Sequence, residues 1–220
     1  DIETFKRCFT YVAINTKTQE VITCVIHKNR DDSKKLYDHL TSEICQIGFN
    51  NLGFDYPVLH YFLRNYKKLL TTDELITELY EKAQGIINYK KSFSVQYNPH
   101  LIKEWEMLIP QLDLYKIWHY DNPAKLTSLK ALQISTNYPN VVESRIPFDQ
   151  DDLDDAEVED IIKYNLNDVL STYEFYKKSA DKIQKMDVRS IIDSGKDPFL
   201  EIMAKVKSLK DEEVFHLINS

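Results

Sequence analysis

The sequence predicts an α/β fold, and two observations support this class. Cys8–Asn15 and Glu20–His27 are two β-rich runs separated by four polar residues, which predicts a β-hairpin. Downstream, amphipathic segments alternate with short apolar runs, which predicts β-α alternation. With 220 residues, 43% of them hydrophobic and 29% charged, the chain fits one domain, or one domain with an appendage, that buries a substantial core.

The first half of the chain supplies most of the predicted strands. The opening stretch Asp1–Phe5 and the hairpin form an antiparallel meander. After a polar break, apolar residues at helical spacing predict an amphipathic helix over Ser33–Ile44. Cys45–Phe49 is then a short apolar run, which we expect to form a strand parallel to the first. A polar turn follows, and a helix begins near Asp55, with Pro57 tolerated in its first turn.

In the middle of the chain, predicted helices and strands alternate less regularly. Thr72–Ile87 is a predicted helix, whereas Asn88–Glu104 has no clear period and mixes basic with aromatic residues. Such a mixture is typical of a loop that contacts nucleic acid, and equally of an ordinary insertion. Trp105–Leu114 is a candidate strand ending in Asp113, for which we expect a structural role.

The last third is predicted to be mostly helical. A short helix is expected near Lys125–Leu132, capped by Thr127 or Ser128. After the loop Asn137–Asp155, a long amphipathic helix begins at about Ala156, either as one helix or as two that meet near Tyr164. The tail contains two further predicted helices, Asp197–Leu209 and Asp211–Leu217.

Composition limits the classes of function. The net charge of −7 argues against a protein that coats nucleic acid by bulk electrostatics, but not against an enzyme whose metal ions neutralise its carboxylates. Four glycines and no glycine-rich phosphate motif argue against a phosphate loop. The three cysteines lack C-x-x-C spacing, and no apolar run could span a bilayer, so we expect an intracellular, cytoplasmic location without membrane partners.

Clustered carboxylates carry the functional signal. On a strand, Asp1 and Glu3 project from the same face, and their mutual repulsion is relieved by protonation or by a hard cation such as Mg²⁺ or Mn²⁺. Asp55 lies at a helix start, where it is either a cap or a ligand. On the long helix, Tyr164 and Asp168 are four residues apart and share one face.

Three motifs in this order resemble the DEDD superfamily of 3′–5′ exonucleases, in its tyrosine-bearing branch. They are Asp1-Ile2-Glu3-Thr4, then Gly48–Asp55 with an Asn shortly before an aromatic-Asp pair, then Tyr164-Asn165-Leu166-Asn167-Asp168. Lys125–Leu129 is similar to a Lys-Leu-x-Ser segment that proofreading domains of family B DNA polymerases, including viral ones, carry between the second and third motifs. The resemblance covers roughly Asp1 to Tyr176.

The resemblance implies a ribonuclease H-like fold, a mixed five-stranded sheet flanked by helices, over residues 1–185, with residues 186–220 as a helical tail of unknown role. It implies an intracellular, possibly virus-encoded 3′–5′ exonuclease that hydrolyses single-stranded nucleic acid from its 3′ end to nucleoside monophosphates. Because the sequence begins inside a motif, we expect it to be a piece of a longer chain, such as a replication enzyme, with other replication proteins as partners.

The resemblance also assigns roles to residues. Asp1, Glu3 and Asp168 would hold one divalent ion, Mg²⁺ or Mn²⁺, and Asp1 with Asp55 a second. Tyr164 would orient the attacking water. The residues expected to contact substrate are Thr4, Phe5, Asn50, Asn51, Phe54 and Lys125.

Two alternatives stay open at the sequence level. A nuclease-like module that binds nucleic acid or acts as a scaffold without cleaving is one, although the intact acidic set argues against it. An RNA-trimming exonuclease is the other, because contacts to a 2′-hydroxyl do not show in these motifs.

Overall fold

The computed structural model of the chain describes residues 1–68, 70–92, 98–119 and 127–185. In these residues the α/β class is confirmed. The strands are β1 (Ile2–Phe5), β2 (Cys8–Ile14), β3 (Val21–His27), β4 (Arg30–Asp31), β5 (Gln46–Gly48) and β6 (Gln111–Asp113). The helices are α1 (Ser33–Leu40), α2 (Asp55–Asn65), α3 (Thr72–Ser92), α4 (Leu114–His119), α5 (Leu129–Ser135) and α6 (Asp155–Lys185), with short 3₁₀ turns at Asn51–Gly53, Tyr66–Lys68 and Glu104–Glu106.

The strands form two hydrogen-bonded sheets. β1 to β4 make an antiparallel sheet in sequence order, which confirms the predicted meander. In its register Ile2 lies opposite Tyr11, and Tyr11 lies opposite Cys24. β5 and β6 form a separate parallel pair. The expectation of one mixed five-stranded sheet is therefore not confirmed.

Among the described strands β5 is hydrogen-bonded to β6 and not to β1, so the expectation that it runs parallel to the first strand stays a prediction. In the β1–β2 ladder, Asp1 exchanges two backbone hydrogen bonds with Val12, so the N–H of Ile2 points to the opposite edge of β1. There it donates to the Asp55 carboxylate (3.1 Å) rather than to a carbonyl of β5.

Helices cover both faces of the four-stranded sheet, because its side chains alternate between two cores. On one face, Ile2, Tyr11 and Ile26 pack with residues of α1, α2 and α3. On the other face, Phe5 and Val25 pack against residues of α6. The side chains of Asp1 and Glu3 alternate with Ile2 and therefore lie on the face that α6 covers.

Several boundaries differ from the predicted ones. Helix α1 ends at Leu40 with Thr41 as its C-cap, and α3 continues to Ser92. The candidate strand at 105–114 contracts to β6, since Trp105 lies in a 3₁₀ turn and is 78% exposed. Helix α4 was not predicted. Helix α6 is one continuous helix, which resolves the alternative of two helices meeting at Tyr164.

Three sequence-level expectations lie wholly or partly outside the described residues. They concern Lys125, the tail 186–220 with its two predicted helices, and residues 93–97 of the basic and aromatic segment. All three cysteines are free thiols. No helix in the described part of the chain is long and apolar enough to cross a bilayer.

Candidate active site

Strand β1 presents the first two carboxylates toward helix α6. Glu3 is half-buried and lies opposite Thr10, and Asp1 is the exposed residue at the start of the strand. The strand is fixed by packing on its other face, where Ile2 is buried in the core. The alternation of β1 thus places two acidic side chains on a rigid element, one of them partly removed from solvent.

Asp55 is joined to β1 by a hydrogen bond. It is the first residue of α2, and its Oδ1 accepts from the N–H of Ile2, 53 residues earlier in the chain. The residue at the cap position is Phe54, whose side chain makes no capping bond. Asp55 therefore does not act as an N-cap; it connects the second motif to the strand that carries the first.

Asp168 comes from α6, which a buried contact fixes against β2. Asn165 Nδ2 donates to Thr10 Oγ1 over 2.9 Å, and Asn165 is fully buried. Thr10 is the direct neighbour of Glu3 across the ladder. This contact sets the rotation of α6, so that Tyr164 and Asp168 on the same helix approach the Glu3 side of β1.

The electrostatics show that the carboxylates converge. The pKa of Glu3 is raised to about 8, first by burial and then by the charges of Asp168 and Asp55, while Lys130 acts in the opposite direction. Burial likewise raises the pKa of Tyr164 well above its usual range, with added contributions from Asp168 and Glu3. Like charges held this close favour a proton or a cation between them.

Asp1 belongs to the same cluster. The charges of Asp55, Glu3 and Asp168 all act on its backbone nitrogen. The backbone nitrogen of Asp1 therefore lies within electrostatic reach of all three other carboxylates. The structure thus places Asp55 and Asp168 within electrostatic reach of Glu3 and of the Asp1 backbone.

Two residues of this site were missed at the sequence level, Lys130 and Gln133 on α5. Lys130 Nζ lies 2.7 Å from Asp168 Oδ1 and 4.7 Å from the centre of the Tyr164 ring. Gln133 Nε2 donates to the same Asp168 oxygen over 3.0 Å. A signal was available: Ser128 caps α5 through the N–H of Ala131, and on such a helix positions 130 and 133 share one face.

Asp113 holds the turn that precedes α2. It is fully buried at the end of β6, and its carboxylate accepts from the N–H groups of Asn50 (2.8 Å), Leu52 (3.1 Å) and Tyr115 (3.0 Å). Burial raises the pKa of Asp113 to about 6, against the effect of these donors. The expectation of a structural role is confirmed, and through this turn Asp113 positions Asp55.

Three of the residues expected to contact substrate are buried, which corrects that expectation. Phe5 is 1% exposed and stacks on Phe148 with ring centroids 4.8 Å apart. Thr4 is buried within the β1–β2 pair. Asn51 is buried, and its Nδ2 donates to Gln111 (2.8 Å). These side chains have partners inside the protein and present no surface to a nucleotide.

The other residues expected to contact substrate are Asn50, Phe54 and Lys125. Asn50 is partly exposed and takes a left-handed backbone conformation (φ 61°), which Asn tolerates better than most residues. Phe54 is partly exposed and packs against the main core. Both flank Asp55 in the chain, so they stay candidates for substrate contact. Lys125 lies outside the described residues.

The fit of a metal ion can be tested on the donor atoms. Within the described ranges, no three His, Cys, Asp or Glu side chains form a ready-made ligand group. The oxygens are engaged elsewhere, since Asp168 Oδ1 accepts from Lys130 and Gln133, and Asp55 Oδ1 from Ile2. The donor set nevertheless suits a hard divalent cation by charge and by oxygen chemistry, and Lys130 would have to leave Asp168 for that cation to bind.

Comparisons of this chain with protein-family models, with curated proteins and with solved structures found no match.

Proposed function

We propose that this chain is a metal-dependent 3′–5′ exonuclease acting on single-stranded nucleic acid, with DNA as the first substrate to test. One observation carries the proposal: Glu3, Asp55 and Asp168 are far apart in the sequence, yet burial of Glu3 together with the charges of Asp168 and Asp55 raises the pKa of Glu3 to about 8. A fold gains nothing in stability from crowding carboxylates, so such a cluster favours a role in binding cations.

Different residues of this chain would bind the metal ions, orient the water and contact the phosphate. Asp1, Glu3, Asp55 and Asp168 would hold two divalent ions, Mg²⁺ or Mn²⁺, which supply the activated water and neutralise the leaving oxygen. Tyr164 stays a neutral phenol, since its pKa is raised, and its hydroxyl can donate to or orient a water beside Asp168. Lys130, once released from Asp168, is the nearby cation that can approach a phosphate.

The fold supports the proposal at a coarser level. A β-meander carries the first acidic pair, β5 precedes the helix of Asp55 and pairs in parallel with β6, and helices cover both faces of the larger sheet. We infer that this arrangement is a ribonuclease H-like fold.

The test is digestion of labelled single-stranded DNA and RNA side by side, each with a free or a blocked 3′ end, in Mg²⁺, Mn²⁺ or chelator. We expect stepwise loss of 3′ nucleotides that needs metal and a free 3′ end. Asp55→Asn and Asp168→Asn should abolish it. Asp160→Asn is the matched control, because Asp160 is an exposed carboxylate on the same helix, paired with Lys163.

The second candidate is a nucleic-acid-binding module that does not cleave. The Lys130–Asp168 ion pair favours it, because an internal cation already neutralises part of the acidic cluster. Retained binding of single-stranded nucleic acid, together with no hydrolysis in either metal, would select this candidate over the exonuclease.

A further inference from the structure

A tryptophan stands in solvent on the surface beside α2. Trp105 is 78% exposed, more than any other large hydrophobic side chain in the described part of the chain. Leu101 and Leu108, which are near it in the chain, are exposed as well. Tryptophan is mostly buried in folded proteins, so an exposed one with apolar neighbours indicates an interaction surface. It directly follows Asn88–Glu104, whose mixture of basic and aromatic residues the proposed active site does not use.

The backbone that carries Trp105 is fixed to α2. His60 Nε2 donates to the carbonyl oxygen of Glu106 over 2.9 Å. The N–H of Leu108 donates to the hydroxyl of Tyr56 over 2.7 Å, and Tyr56 is fully buried. A ring on which another ring stacks needs a fixed base, and these two hydrogen bonds supply one on the C-terminal side of Trp105.

Cations near this surface lie against rings. Lys103 Nζ lies 5.2 Å from the centre of the Trp105 ring. Lys82 Nζ lies 5.9 Å from the centre of the Tyr61 ring and donates to Nδ1 of His100 over 3.4 Å. Several lysines elsewhere in the described residues pair with carboxylates instead. Alternation of aromatic rings and cations is typical of surfaces that bind single-stranded nucleic acid.

Acidic side chains limit what charge alone can contribute here. Glu106 accepts from the backbone N–H of Lys103, and Glu78 accepts from the hydroxyl of Tyr61. With a net charge of −7 for the whole chain, general attraction of a polyanion is weak. Affinity at this surface would therefore come mainly from stacking on the exposed indole.

We propose that Trp105 and Lys103 form a stacking site for one base of a single-stranded nucleic acid, outside the acidic cluster. The base would lie on the indole face opposite the Lys103 ammonium, and the ammonium would approach a phosphate of the same strand. The identity of this occupant rests on the proposed function, because the strand whose 3′ end lies at the acidic cluster is the one that would reach Trp105.

Helix α2 connects the two places. Asp55 is its first residue, and His60, which binds the backbone next to Trp105, follows five positions later, about 7.5 Å along the helix axis. A single strand advances about 3.4 Å per nucleotide, so a strand of a few nucleotides extends over this axial distance. Trp105 would therefore hold a nucleotide upstream of the one that is removed.

The first test uses fluorescence, because the sequence contains two tryptophans. Trp118→Phe leaves Trp105 as the reporter; Trp118 donates to Ser179 Oγ on α6 and belongs to another part of the molecule. The protein is titrated in chelator at low ionic strength with oligothymidylate of about 12 nucleotides, and with an equally long strand that lacks bases. We expect saturable quenching by oligothymidylate and nearly none by the strand without bases. The difference between wild type and Trp105→Phe gives the same signal if Trp118→Phe does not fold.

The second test separates a stacking ring from a merely apolar patch, by the anisotropy of labelled oligothymidylate. Trp105→Phe keeps an aromatic face and should bind within about threefold of wild type. Trp105→Leu keeps apolar area without a ring and should bind about fivefold or more weakly. Leu108→Ala, which shortens an exposed aliphatic neighbour, is the matched control and should change the affinity by less than about twofold.

Unchanged Trp105 fluorescence with oligothymidylate, or equal affinities of Trp105→Phe and Trp105→Leu, would overturn the proposal. Self-association that Trp105→Leu abolishes, with no quenching by either strand, would identify an interface between copies of the chain and would also overturn it. Binding is measured without metal, so hydrolysis has no part in it. Metal-dependent cleavage with unquenched Trp105 would refute this site and leave the exonuclease, whereas quenching without any cleavage would support this site and refute the exonuclease.

Discussion

At the scale of single residues, Asp168 is the centre of the acidic site. One of its oxygens accepts from both Lys130 and Gln133, and Tyr164 lies one helical turn earlier with its ring 4.7 Å from the Lys130 ammonium. Asp168 is almost fully buried, so its charge needs these donors. Lys130 thus acts as an internal counter-ion at the position where a bound metal would compete with it.

Replacing Lys130 by Met should increase the affinity for the first divalent ion. A unit charge at about 4 Å is worth about 1 kcal/mol even in water, so we expect Mn²⁺ to bind at least about fivefold tighter. Calorimetric titration of the metal-free protein measures this. Lys163→Met removes the same charge from the exposed face of α6 and is the matched control. Equal affinities in the two variants would show that Lys130 does not compete.

Replacing Tyr164 by Phe should slow cleavage and leave metal binding intact. Loss of one positioned hydrogen bond typically costs about 10²–10³-fold in rate, or about 3–4 kcal/mol of barrier. The Phe ring keeps its packing and its contact with Lys130, so the melting temperature should stay within about 2 °C. Single-turnover rates at saturating Mg²⁺, beside Asp168→Asn, provide the comparison. Wild-type speed from the Phe variant would leave Tyr164 with a packing role only.

At the scale of elements, the turn between β5 and α2 depends on a side chain from β6. Asp113 binds the backbone N–H groups of Asn50 and Leu52, and this turn leads directly into Asp55. A Cβ on Gly48 would lie 2.7 Å from the Cβ of Asn51, so the same turn also requires glycine at its start. The geometry of the acidic site is therefore set partly by a residue that does not belong to it.

Asp113→Ala should destabilise the fold and lower activity together. It leaves three backbone donors without their acceptor in a buried site, for a cost of about 2–4 kcal/mol in unfolding free energy. Asp113→Asn keeps one carbonyl acceptor and should lose less unfolding free energy than Asp113→Ala. Urea unfolding measures both variants. If Asp113→Ala were as stable as the wild type, the turn would be held by other contacts.

At the scale of the whole molecule, crowded carboxylates make stability depend on pH. The pKa of Glu3 is about 8 in the folded protein, against 4.5 as its ordinary value, so the native state binds the extra proton between these limits. Stability therefore falls as pH rises through that window. Asp113, with a pKa raised from 3.8 to about 6, contributes in the same direction at lower pH.

For the metal-free protein we expect the unfolding free energy to fall by on the order of 2 kcal/mol from pH 5 to pH 8. Glu3→Gln should flatten this decline and raise stability at pH 8, because it removes the repelled charge. Saturating Mg²⁺ should flatten the wild-type profile in the same way. Urea unfolding across this pH range is the measurement. A stability that rises with pH would contradict the claim that Glu3 is buried beside other carboxylates.

The sequence by itself determined the features that rest on local spacing. The β2–β3 hairpin, the Ser128 cap of α5, and the shared face of Tyr164 and Asp168 follow from residues within a few positions of one another. The four acidic positions also followed from motif spacing, and the structure places Asp55 and Asp168 within electrostatic reach of Glu3. Their roles in catalysis stay predictions.

Only the tertiary structure decided contacts between residues distant in the chain. Phe5 was expected to meet a nucleotide, but the loop before α6 brings Phe148 onto its ring. Asp55 accepts from the N–H of Ile2, 53 residues earlier in the chain, and β5 pairs with β6. Such contacts depend on how the loops place whole helices and strands relative to one another, and on which acceptor lies next to a given backbone donor. No local pattern in the sequence encodes either of these.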